Sequence, residues 1–240
     1  MKYTYKTSIL ILMIVFLSGC MYPNSELDKN QIPNQAQLDM VQAAVDDYQE
    51  GSGGLLPIRT KSNDTPIFEK YLIDFTTLKE SNSLTEIPGN AYENGGIYQY
   101  AILYPETDAQ VKLIDLRITE ALRSVNFRID TYRDKNLYPP FGEQIEPGIF
   151  KVDYEKIGMD SPPTIESPYS DVTLPVVMDT AGQIYVDYRI DLNIALKEYE
   201  HDYKEGEDIR YLLAENTPFL PAYSLPYTVK DNEPIFMIEK

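Results

Sequence analysis

The residues whose types and spacing most clearly invite chemistry are Leu17-Ser18-Gly19-Cys20. An ionised thiol attacks carbon and leaves a stable thioether, which a serine hydroxyl does not do at neutral pH. Cys20 is the only cysteine in 240 residues, and the small Ser18 and Gly19 let the chain before it lie extended in a peptidase cleft. Lys2 and Lys6 precede an apolar run from Ile9 to Leu17. Coiled as a helix, that run is about 13 Å long, less than half of a ~30 Å hydrocarbon layer. A basic start, a short apolar run and a small-residue junction predict a secretory signal, not a membrane span.

Over residues 1–20 this junction resembles the lipobox of bacterial lipoproteins. The resemblance implies transfer of a diacylglyceryl group to the Cys20 sulfur, cleavage between Gly19 and Cys20, and often acylation of the new amine. The mature chain is then expected on the outer face of the cytoplasmic membrane, its contact with the membrane made through the lipid on Cys20. Each buried methylene contributes about 0.8 kcal/mol, so one acyl chain holds weakly and two or more hold firmly. The competing reading makes Cys20 a free buried thiol at the end of a core helix.

Other candidate chemistry is thinner. His201 is the only histidine and sits among carboxylates in Glu198-Tyr199-Glu200-His201-Asp202. A Ser-His-Asp or Cys-His site would have to use it, and it falls on the polar side of a predicted helix, so no catalytic residue is assigned. Zinc and iron centres need several imidazoles or thiolates. The acidic stretch Glu200–Asp208 fails the calcium-loop register, because Lys204 and Gly206 fall where oxygen ligands belong. No metal or cofactor is expected. Carboxylate pairs can cleave glycosidic bonds, but with 38 acidic residues some pair always looks well placed. Twenty tyrosines stand without a tryptophan. The run Pro218–Tyr227, with Phe219, Tyr223 and Tyr227, suits either a strap over the core or a docking surface.

Composition narrows the classes. Removing residues 1–19 takes two lysines and no acid, so the formal charge passes from −17 to −19 over 221 residues. Such acidity argues against nucleic acid, which needs clustered Lys and Arg, and against adhesion to anionic lipid or polymer. With 43% apolar residues the chain can build a real core, and with one cysteine no disulfide can brace it.

These residues must be positioned by a regular body. Residues 20–37 read as a lipidated cysteine and flexible tether, and 38–240 as one α+β globular body. Leu38, Val41, Val45 and Tyr48 predict a helix over 35–50. Residues 68–75 read as a strand, with Tyr71, Ile73 and Phe75 on one face. Asn94-Gly95 predicts a turn before a strand that ends at Tyr104. Asp108 opens a predicted helix with the stripe Val111, Ile114, Ile118, Leu122 and Val125. Six of seventeen prolines fall between 126 and 173, which reads as an ordered connector. Beyond it come strands at 174–178 and 183–190, helices over 191–203 and 207–214, and an edge strand at 234–238. The expected fold is antiparallel sheet with amphipathic helices on one face. The segments 94–100 and 181–188 echo each other, which fits two related turn–strand–helix halves, 38–125 and 174–240, or coincidence.

Val177-Met178-Asp179, Ile184–Arg189 and Pro218–Tyr227 resemble an uncharacterised lipoprotein family of spore-forming bacilli. The resemblance implies a Gram-positive envelope and lends no activity, since that family is without an assigned function. The reading is therefore a non-enzymatic binding or accessory lipoprotein with an envelope protein as partner. The alternative is a carboxylate-dependent wall hydrolase.

Overall fold

The computed structural model describes residues 34–59 and 61–237. Residues 1–33, Gly19 and Cys20 among them, lie outside the described residues. The first element is α1 (Asn34–Gly51), where Leu38, Val41 and Val45 turn one stripe inward as their spacing requires. Gly53 and Gly54, at φ +76° and +99°, carry the chain away from its end. Short helices α2 (Ile67–Lys70) and α3 (Phe75–Glu80) follow, then a 3₁₀ turn at Tyr92–Asn94.

The antiparallel pair β1 (Tyr98–Leu103) and β2 (Gln110–Asp115) forms the centre of this part. Tyr100, Ile102, Val111 and Leu113 pack on α1 and α3, while Ala101, Leu103 and Ile114 pack on the C-terminal part of the chain. Two expectations are corrected here. Residues 68–75 are not a strand: only Tyr71–Ile73 run along β1, with Ile73 N–H to Tyr100 O at 2.9 Å and Ile102 N–H to Tyr71 O at 2.8 Å. Asp74 then caps α3 by accepting from Thr76 N–H at 3.0 Å. Residues 110–115 are a strand, not the start of a helix. Both faces of β2 are covered, so its buried residues do not alternate.

Helix α4 (Leu116–Asn136) follows β2 directly, and its buried stripe is Ile118, Leu122, Val125 and Ile129. That stripe shares a core with the four-stranded antiparallel sheet β3–β4–β5–β6 (Phe141–Glu146, Ile149–Val152, Val176–Asp179, Ile184–Val186). Helices α5 (Arg189–Glu198) and α6 (Arg210–Asn216) and the hairpin β7–β8 (Tyr227–Lys230, Glu233–Phe236) complete it. The region 126–173 is thus only partly connector, since α4 continues to Asn136 and two strands follow. The predicted strand 183–190 stops at Val186, and Ile190 lies on the outer side of α5, 44% exposed. The fold is α+β with antiparallel sheets.

The echoing segments 94–100 and 181–188 place their glycine turns just before β1 and β6. Gly95 turns the chain before β1 and does not join two paired strands. What recurs is hairpin, then Asp-x-Arg, then helix: Asp115-Leu116-Arg117 after β1–β2 and Asp187-Tyr188-Arg189 after β5–β6. Asp208-Ile209-Arg210 repeats the last step ahead of α6. In each, the aspartate accepts the arginine's backbone N–H (2.9, 3.1 and 3.1 Å) and grips its guanidinium through Nε and Nη2. One carboxylate thereby satisfies an orphan donor at the helix start and fixes the chain's entry angle.

Gly96 is a point of close approach. A Cβ there would lie 2.1 Å from the backbone carbon and oxygen of Asn90. Gly96→Ala must open this turn, disturbing the bonds Gly96 N–H to Ala91 O and Tyr98 N–H to Asn90 O. The expected loss is about 1–3 kcal/mol. A urea midpoint equal to that of the parent protein would contradict it.

Candidate functional site

The tyrosine- and proline-rich run is a strap. Leu113 N–H donates to Pro218 O at 2.9 Å and Leu220 N–H to Leu113 O at 2.8 Å, so residues 218–220 flank β2. Phe219 packs its ring on Tyr98 and Tyr169, and Tyr223 N–H donates to Glu69 at 2.9 Å. Tyr227 is fully buried, its hydroxyl accepting from Tyr188 N–H at 3.0 Å and donating to Val186 O at 3.2 Å. Of the residues expected to form a docking surface, Tyr227 is buried and faces the core, while Phe219 and Tyr223 are half-buried. Burial and the side-chain bond to Glu215 likewise push the Tyr104 phenol well above its ordinary range.

His201 is exposed beside Leu196 O, 3.1 Å away. Within 200–208, Glu207 accepts from Lys204 N–H at 2.8 Å and Asp208 grips Arg210. Among the described residues no three His, Cys, Asp or Glu side chains converge on a metal-sized space. Asp191 is buried and accepts from Ser167 and Ser170 hydroxyls at 2.8 and 2.5 Å, latching the 166–173 loop onto α5. Burial raises its pKa despite those bonds.

A hollow of about 800 Å³ runs beside α4. Arg123, Arg128, Lys135 and Lys156 line it against one carboxylate, Glu120. Phe127, 74% exposed, stands on its helical wall, and Ile157 is buried at the opposite wall. Arg128 is braced by donating to the carbonyls of Ile157 and Gly158 at 3.3 and 3.1 Å. Lys156 pairs with Asp153 at 2.8 Å, whereas Lys135 has no ion pair among the described residues. Past the helix end, Leu137 is 93% and Tyr138 52% exposed, and Tyr138 meets the ring of Tyr132 edge-on at 5.7 Å. Their hydrogen bond pushes Tyr132 up to about 12.

In a chain of net charge −17 this is a local inversion of sign beside exposed aromatic surface. It can hold an anionic, partly apolar ligand. A second depression, by Pro175 and Pro234, brings Asp187 and Glu233 together, but both Asp187 oxygens are held by Arg189. The sequence reading missed the first groove because it ended the helix near Asn126. Phe127 lies off the buried stripe among Arg123, Arg128, Arg133 and Lys135, which is the signal a longer helix would have exposed.

No curated protein and no solved structure matches the chain. A family match lies elsewhere in the chain, outside residues 177–189 and 218–227 that carried the resemblance. Residues 34–115, ending on the aspartate that caps α4, match the YphF family N-terminal domain.

Proposed function

We propose that this chain is a lipid-anchored envelope protein that binds a partner without catalysing a reaction, and that the α4 groove is its docking face. The groove carries the reading: four cations and an exposed phenylalanine around a hollow on an otherwise acidic body. Arginine and aromatic side chains are the residue types that dominate binding at interfaces. The anchor rests on the Leu17–Cys20 junction, and no helix among the described residues is long and apolar enough to cross a membrane. The hydrolase alternative finds less support, since the carboxylate pair in a depression includes Asp187, already bound by Arg189.

Two experiments test this. Labelled fatty acid is expected to enter the parent protein and not Cys20→Ala, which loses the only thiol; equal labelling refutes the anchor. A photoreactive residue at Thr131, in the groove, is expected to capture one protein in intact cells, whereas one at Lys79 does not. Equal capture from both positions, or from neither, refutes the docking face.

A further inference from the structure

We infer that the occupant of the α4 groove is an acidic, extended segment of a partner protein with apolar side chains between its carboxylates. This rests on the docking reading above and deepens it.

Charge selects the class of ligand. Arg123, Arg128, Lys135 and Lys156 line the hollow, and against them stand Glu120, paired with Arg123, and Asp153, paired with Lys156, so an entering anion meets an excess of two positive charges. Elsewhere the acidic surface repels the same ligand, which confines it to this place. Shape selects the form. The wall from Glu120 to Asn136 is about 24 Å of helix at 1.5 Å per residue. That length accommodates about seven extended residues at ~3.3 Å each. A concave hollow of about 800 Å³ receives a chain segment, whereas a flat bilayer surface cannot enter it.

The two walls select the pattern. Arg128 is held in place by the carbonyls of Ile157 and Gly158, so its guanidinium is presented without further ordering. Phe127 offers an apolar contact between Arg123 and Arg128, which suits a ligand whose acidic and apolar side chains alternate along an extended backbone.

The test uses the full chain in neutral detergent and a fluorescein-labelled seven-residue peptide of alternating glutamate and leucine. Its lysine–leucine counterpart and phosphatidylglycerol vesicles serve as comparison probes. The acidic peptide is expected to bind, with affinity falling on added salt and at least tenfold in an Arg123→Glu/Lys135→Glu double variant. Phe127→Ser is expected to weaken it severalfold, and Lys79→Glu/Lys230→Glu not at all. All these side chains except Phe127 are exposed charges, and an unchanged melting temperature verifies that each variant folds. Absence of binding, equal binding by the groove variants, or groove-dependent binding of vesicles in place of the peptide overturns the inference. If the protein captured through Thr131 makes contact by a neutral or basic segment, the acidic-segment inference fails while the docking face stands.

Discussion

Asp187→Ala is expected to destabilise the protein by about 3–5 kcal/mol, because it strips a buried carboxylate from an arginine that keeps few other partners. Asp187 is 4% exposed and accepts from Arg189 through its backbone N–H, Nε and Nη2. Arg189 also reaches Glu146 on β3 at 3.0 Å and lies 4.5 Å over the Phe236 ring on β8. Glu146 in turn accepts from Phe236 N–H. One carboxylate therefore sets the start of α5, the position of β3 and the end of β8. Urea denaturation followed by far-UV circular dichroism measures the loss. The related Asp115→Ala is expected to cost less, about 1–2 kcal/mol, the range of a lost helix cap. Its partner Arg117 has a half-exposed side chain that water can resolvate. Equal losses in the two variants would show that burial does not grade these clasps.

Leu113→Ala carries the second large effect, about 2–5 kcal/mol. Leu113 is fully buried in β2, opposite Tyr100, and its backbone holds the strap through Pro218 and Leu220. A cavity there weakens the core beneath α1 and the β1–β2 hairpin and loosens the strand to which residues 218–220 are bonded. Cleavage by a protease specific for aromatic residues is expected to appear first within 219–227. Loss of stability without earlier cleavage in that run would show that the strap does not depend on β2.

How much of this was legible depends on how local each determinant is. The α1 stripe could be read because Leu38, Val41 and Val45 answer to one buried face. The stripe Ile118, Leu122 and Val125 was likewise legible, but its start was not. Val111, Leu113 and Ile114 lie on opposite faces of a strand buried on both, so their spacing imitates a helix. In 68–75, helix, edge and cap succeed one another within eight residues, too short for any period to declare itself. Cys20 lies outside the described residues, so its chemistry still rests on the junction alone.

By itself the sequence determined a mixed α+β body without disulfides, several of its amphipathic elements, and the sign of its charge. Those follow from composition and from spacings within a single element. Only the tertiary structure decided which tyrosines would be exposed, and it sent Tyr227 inward with the strap. It alone also brought Lys156 from the loop after β4 beside Arg123, Arg128 and Lys135 on α4. The physical reason is that a groove is a relation between surfaces of separate elements, and no periodicity along one element encodes what packs across from it.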